Sequence, residues 1–370
     1  MTASNGMTGD TTPLEAILKQ EIAERGPIPV SRFMARALGD PVHGYYTTAN
    51  PFGTEGDFTT APEISQLFGE ILGAWLVQMA TAIGASAPGE RIAMVELGPG
   101  RGTLMADIVR VAQLRPEIDA RLDVHLVEMS PRLREIQAKT IAASRPDRPA
   151  PTFHDTIDTV PALPLVLVAN EFFDALPIEQ VVMGEDGWNR RMVALEDGAL
   201  VFANGEKVAI TADIPGAEPG VILETCPAAH AITTKIATRM TKHPGAGVII
   251  DYGYERMAVG DTLQALRHHA PCGVLEHVGQ ADITAHVCFA NLGHAAMSVG
   301  AQAFGPMTQT QFLGELGIAQ RAEAIIRRNP QKRGEVETAL ARLTSPDAMG
   351  SLFKVMALIS PGPDAPPPFV

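Results

Sequence analysis

From Ile64 onward the apolar positions run Ile64, Leu67, Phe68, Ile71, Leu72, Trp75, Leu76, Met79 and Ile83. Steps of three and four place them on one helical face, so the pattern predicts a long amphipathic helix. Thr60-Ala61-Pro62-Glu63 in front of it reads as a capping box, and the free N–H groups at such a start can face a ligand. An earlier helix is predicted behind a similar box, Thr12-Pro13-Leu14-Glu15, and is closed by Gly26-Pro27. A short helix follows around Ser31 to Leu38, stopped by Gly39 and Pro41.

The pattern then changes to short strand-like runs, most of them apolar: Arg91 to Leu97, Leu122 to Val127, a possible edge strand Pro151 to Phe153, Leu165 to Ala169 and Val248 to Ile250. Runs apolar on both faces suit strands covered by helices on both sides. Repeated strand–helix units predict an α/β fold with a doubly wound, mostly parallel sheet. Ile178 to Ala203 instead alternates, with turns at Gly184 to Gly187 and Glu196 to Gly198, and predicts an antiparallel meander. Thr262 to Gly300, rich in His, Gly and Ala, reads as an insertion. Leu352 to Ile359 is the expected last strand, and the five prolines of Pro361 to Val370 suggest a polyproline-like tail.

With 370 residues, 46% of them hydrophobic and 19% charged, the chain can bury one large core or two modest ones. Asp and Glu outnumber Lys and Arg by 42 to 29, a net charge of -13. That field repels phosphate backbones and anionic lipid, so neither nucleic acid nor membrane is an expected partner. No apolar run approaches the ~20 residues that span a bilayer. Cys226, Cys272 and Cys288 are an odd set without C-x-x-C, which suggests reduced thiols. Met1 to Thr12 resembles neither a signal nor a transit peptide. The expected place is the cytoplasm of a prokaryote, or an organelle reached by a presequence. His268, His269, Cys272, His277, Asp282, His286 and Cys288 crowd one stretch, but lack metal-ligand spacing. No metal is expected.

The chemistry starts at Val95-Glu96-Leu97-Gly98-Pro99-Gly100-Arg101-Gly102. Gly98, Gly100 and Gly102 let backbone approach a ligand, and the helix from Thr103 presents free N–H groups. A plain strand–helix turn would use the same residues. The spacing is G-x-G-x-G, whereas nicotinamide binders use G-x-G-x-x-G. Glu96, two residues before the first Gly, would repel a pyrophosphate but suits the ammonium and sulfonium of S-adenosylmethionine. Glu128, at the end of the next strand, can accept hydrogen bonds from both ribose hydroxyls. It lies 30 residues beyond Gly98, against the usual ~20, and the surplus fits around Leu114 to Asp119. His154-Asp155 lies where an adenine contact is expected.

Motifs across nearly the whole chain resemble those of the MidA family of class I methyltransferases, related to the mitochondrial complex I assembly protein-arginine methyltransferase. They are Gly56 to Ser65 (Gly-Asp-Phe-Thr-Thr-Ala-Pro-Glu-Ile-Ser), the Glu96 to Gly102 loop, Val127 to Pro131, Ala169 to Pro177 (Ala-Asn-Glu-Phe-Phe-Asp-Ala-Leu-Pro), Ile250 to Gly253 and Gly279 to Val287. The resemblance implies a seven-stranded methyltransferase sheet with an added N-terminal lobe. The expected division is a helical lobe with a substrate-channel loop over 1–84 and a methyltransferase domain over 85–370, with insertions near 178–225 and 260–300. The implied reaction is symmetric dimethylation of an arginine on a complex I core subunit.

Glu171 and Asp174, just beyond the fourth strand of the sheet, are the expected holders of a guanidinium, because ligands bind at the carboxyl ends of such strands. Two carboxylates can bind its N–H fork and fix its plane. Asn170 joins the expected donor contacts. His286 is a candidate proton acceptor; Tyr46, Asp57, Asp251 and Asp282 are candidates to line the substrate channel. Two other readings stay open: methylation of another protein residue or a small molecule, and a non-catalytic complex I assembly chaperone. A homodimer is neither implied nor excluded.

Overall fold

The computed structural model describes residues 11–48, 60–210, 217–362 and 364–369. The chain divides into two compact units. The smaller gathers residues 1–58, 175–227 and 259–285; the larger gathers 59–174, 228–258 and 286–370. This differs from the expected division at residue 84. The helix of residues 66–86 is part of the larger unit; the first expected insertion and the second as far as Ala285 belong to the same smaller unit as the N-terminal segment, and 286–300 belong to the larger one.

In the larger unit, β1 (Ile92–Leu97), β2 (Leu122–Val127), β3 (Thr152–His154), β4 (Leu165–Asn170), β5 (Gly245–Tyr254), β6 (Val287–Cys288), β7 (Gln302–Thr308) and β8 (Phe353–Ile359) form one mixed sheet. Its path is β7-β8-β5-β4-β1-β2-β3, with β6 beside the end of β5. The five strands from β5 to β3 run parallel, and β8 and β7 add antiparallel neighbours. Every residue of β1 and β4 is buried, as expected of strands covered on both faces. All the parallel strands therefore end on one edge, with Asn170 level with Ile250.

Helix α1 (Gln66–Ser86) packs Phe68, Leu72, Trp75 and Leu76 into the core of this unit. The predicted capping box is replaced by two elements. Ala61–Ile64 makes a single turn, Ser65 is extended at φ -164°, and its hydroxyl caps α1 by accepting from Leu67 N. By length and apolarity α1 would suffice to cross a membrane, contrary to the expectation for the whole chain, but 72% of its apolar window is buried inside the protein. Helices α2 (Thr103–Ala112) and α3 (Pro131–Ser144) follow β1 and β2. The proline-rich end is docked rather than loose: Trp75 Nε1 donates to Pro367 O at 2.7 Å and Phe369 lies 5.7 Å from Phe312, ring to ring.

The smaller unit holds helices Pro13–Arg25 and Val30–Gly39 and the expected meander, Glu179–Gly184, Gly187–Glu196 and Ala199–Lys207. Ile28–Pro29 and Ile222–Thr225 extend that antiparallel sheet. Gln264–Arg267, Ala270–Cys272 and Asp282–Thr284 form a second sheet of three strands. Leu14, Phe33, Met34, Ile178, Val193 and Ile283 are among its buried core. Thr12 accepts from Glu15 N as predicted, and its hydroxyl also donates to Val278 O, 266 residues away.

Candidate functional site

The loop after β1 uses its glycines for geometry. Gly98, Gly100 and Gly102 have φ of 60°, 52° and 80°, a region that side chains with a Cβ rarely occupy. Packing adds a second constraint at two of them. A Cβ on Gly98 would lie 2.8 Å from the Phe172 ring, and one on Gly102 3.1 Å from Gln137 Cα. The turn is closed by Gly102 N donating to Pro99 O at 2.7 Å, and tied to β2 by Gly98 N donating to Val127 O at 3.1 Å.

Glu96 is held inside the fold near the end of β1. It is 3% exposed, accepts from the Met105 N–H of α2 and sits near Asp107. Burial, with Asp107 adding to it against the Met105 bond, pushes its carboxyl up to about 8. The contact it makes within the protein is with the start of α2.

Glu128 is half-buried, and its carboxylate is held on both sides. Oε1 accepts from Ser130 N at 2.8 Å and Oε2 from Gln137 Nε2 at 3.1 Å. Burial raises its pKa and these two donors oppose the rise. Gln137 Nε2 also donates to Gly100 O at 2.7 Å, so one amide ties the glycine loop to the carboxylate. Arg134 spans the Glu128 carbonyl and Asp155, and the Asp155 side chain is 79% exposed at the rim. His154 is buried instead, bonded to His125 at 3.0 Å and to Thr159 at 2.9 Å. Burial, with the neighbouring cations, lowers both imidazoles, His125 to about 4.

Beyond β4, Glu171 takes the left-handed conformation at φ 50°, a strain that persists only where surroundings impose it. Its N donates to Ile250 O, and its Oε1 accepts from Ala61 N and Asn170 Nδ2, both at 3.0 Å. Burial, with the nearby Asp174 adding to it, pushes its pKa up to about 7. The same Thr-Ala-Pro-Glu turn reaches α2, where Thr103 Oγ1 donates to Glu63 Oε1 at 2.8 Å. With Asn170 Nδ2 committed to Glu171, its Oδ1 is a buried acceptor that has no hydrogen-bond partner among the described residues.

Asp251 is 0% exposed. Its Oδ2 accepts from Phe173 N (2.9 Å) and Asp174 N (3.2 Å), and its Oδ1 from Tyr252 N (3.0 Å). Burial, then Asp174 and Glu171, hold its pKa well above the usual carboxylate range. The expected channel residue is therefore a buried strut that shapes the segment carrying Glu171 and Asp174, and Asp174 is itself 3% exposed. His286 lies at the same strand ends, its ring 5.4 Å from Tyr252 and nearly perpendicular to it. There Gly253 allows β6 to close on β5, since a Cβ would lie 2.0 Å from Val287 O. Tyr46 and Asp282 meet each other in the smaller unit, with Tyr46 Oη donating to Asp282 Oδ1 at 3.3 Å. Asp57 lies outside the described residues.

Gln137, Ala61, Glu63 and Phe172 were not singled out by the sequence. The Gly56 to Ser65 motif pointed toward Ala61 and Glu63, but nothing marked Gln137, two turns into a helix of ordinary composition.

The donor set fits S-adenosylmethionine: a glycine loop at a helix start, a carboxylate pre-aimed by two N–H donors for a diol, and an orphaned buried carbonyl at Asn170 suited to an ammonium. These parts, on the carboxyl edge of a largely parallel sheet, define an S-adenosylmethionine-dependent methyltransferase. The family model described as S-adenosyl-L-methionine-dependent methyltransferase matches residues 71–307. Over 369 residues the chain is 34% identical to the mitochondrial protein arginine methyltransferase NDUFAF7 of Danio rerio, covering 93% of this chain and 86% of that one. It is 33% identical to the Homo sapiens protein of that name, covering 94% and 83%. A crystal structure of a likely methyl transferase from Burkholderia thailandensis bound to S-adenosyl-homocysteine superposes with a TM-score of 0.82 at 31% identity, over 98% of this chain and 96% of that one. The chain belongs to the MidA family.

Proposed function

We propose that this methyltransferase modifies arginine in a protein, by symmetric dimethylation of a respiratory complex I core subunit during assembly. The observation that carries the reading is the pair of carboxyl groups, Glu171 and Asp174, held at the end of β4. Relatives at 33–34% identity named as protein arginine methyltransferases support it. On this reading the larger unit is a doubly wound catalytic domain, its expected seven strands being the path β7-β8-β5-β4-β1-β2-β3, with the two-residue β6 added beside β5. Tyr46, Asp57 and Asp282 are the residues proposed to recognise the substrate. The enzyme works in the cytoplasm of a bacterium, and its eukaryotic relatives in the mitochondrial matrix.

S-adenosylmethionine supplies an electrophilic methyl group on sulfonium. Gly98, Gly100 and Gly102 shape its site, Glu128 holds the ribose diol, Asp155 borders the adenine side and Asn170 Oδ1 takes the ammonium. Glu171 and Asp174 work on the acceptor. Arg has a pKa near ~13.8, so full deprotonation before transfer costs roughly 9 kcal/mol at neutral pH, and adjacent carboxylates raise that cost. Their role is instead to draw positive charge toward two guanidinium nitrogens and leave electron density on the third. The proton leaves during or after transfer, with His286 as its acceptor. Alignment of the reacting atoms supplies much of the rate. Mass spectrometry of complex I core subunits from cells with and without the protein tests this reading. Loss of a dimethylarginine in the absence of the protein supports it. Unchanged arginines, with the complex failing to assemble, favour the chaperone reading.

A further inference from the structure

We propose that Gln137 is a positioning residue for the donor site, setting the Glu128 carboxylate and the glycine loop in one fixed relation. The inference rests on the reading that Glu128 and that loop hold S-adenosylmethionine. Gln137 is 0% exposed and sits two turns into α3. Its Nε2 donates to Gly100 O at 2.7 Å and to Glu128 Oε2 at 3.1 Å. Both partners are pure acceptors, so only the NH2 end of the amide can serve them and the orientation is fixed by chemistry.

The arrangement carries a cost that packing alone does not explain. Gln137 Oε1 is buried with no hydrogen-bond partner among the described residues, and a buried group left so calls for a reason. An apolar side chain of the same size would spare that oxygen but leave Gly100 O and Glu128 Oε2 without this donor. The backbone is committed to the same contact. Gly102, at φ 80°, lets the loop approach until a Cβ would lie 3.1 Å from Gln137 Cα. The amide thus spends one unsatisfied oxygen to hold two donor-binding elements by a single nitrogen. Glu128 has Ser130 N on its other oxygen, so Gln137 completes a two-sided grip that fixes the carboxylate's plane.

The test is a double-mutant cycle read by calorimetric binding of S-adenosylhomocysteine. Gln137→Met keeps the volume and removes the donor. It should weaken binding about 5–10-fold, while Glu128→Ala weakens it about 10-fold or more, the size of a lost charge-assisted bond. In the Glu128→Ala background, Gln137→Met should cost clearly less than in wild type, because only the bond to Gly100 O is then left to lose. Equal losses in both backgrounds would show that Gln137 does not act through Glu128 and overturn the proposal. Normal binding by Gln137→Met with weak binding by Glu128→Ala overturns this inference alone, whereas normal binding by both overturns the donor-site reading as well. The near-isosteric Gln137→Glu guards against a folding defect. Its carboxylate faces two acceptors, so its affinity relative to wild type should fall as pH rises from 5.5 to 8. A pH-independent ratio speaks against the proposal.

Discussion

Replacing Glu171 by Gln removes one charge and almost nothing else. The carboxylate accepts two hydrogen bonds on one oxygen, from Ala61 N and Asn170 Nδ2, and a Gln carbonyl can accept both. The wild-type group titrates near 7, raised by burial and by Asp174. If the ionised form holds the guanidinium, free enzyme is about one-tenth active at pH 6, half at pH 7 and about nine-tenths at pH 8. kcat/KM, which reports free-enzyme pKa values, should therefore rise about tenfold from pH 6 to 8 and then level off. Guanidinium binding favours the charged form, so the kcat profile should shift to lower pH. Glu171→Gln should flatten this limb and transfer at least ~100-fold more slowly at pH 8, the scale of losing one preorganised electrostatic contact, about 2.7 kcal/mol. The assay is single-turnover methyl transfer to an arginine peptide across pH, with donor binding checked by calorimetry. A variant that keeps the tenfold limb, or the wild-type rate, would refute the assignment of Glu171.

Gly100→Val puts a branched residue at φ 52°; calorimetry should show donor binding abolished, and unchanged affinity in a folded variant would remove the donor from this loop. Glu96→Gln addresses a group whose pKa is about 8 when folded and about 4.5 when unfolded. Wild-type stability is then greatest below the unfolded value and falls as pH rises through 8, by a total of order 5 kcal/mol. Urea unfolding should find the variant's relative stability growing between pH 5 and 9, with little change in donor affinity; a large affinity loss would return Glu96 to the donor site. Asp251→Asn keeps one acceptor but sets an amide against a backbone N–H, so it should cost about 1–3 kcal/mol of stability and lower kcat more than donor affinity. Loss of donor affinity with normal turnover would contradict its role as a strut for the Glu171 segment.

The strands were legible because runs such as Leu165–Ala169 are apolar and bounded by turn residues. The helix start at Ser65 was not, since an extended residue between two helical turns leaves no mark on a spacing of three and four. The smaller unit was hidden for a different reason: it draws on three separated stretches of chain, and no local pattern records their meeting. The burial of Glu96 follows from β1 being covered on both faces, which the apolar run around it already suggested. Asp251 ends an apolar run in the same way. Gln137 depends on how closely α3 approaches the glycine loop, a tertiary distance that sequence spacing does not encode.

The most direct test incubates the protein with S-adenosylmethionine labelled in its methyl group and with complex I subunits from cells that lack it, followed by complete hydrolysis and amino-acid analysis. Label is predicted in symmetric dimethylarginine from a core subunit, and none with Glu171→Gln. Label in another amino acid, in a small-molecule fraction, or undiminished with that variant would contradict this.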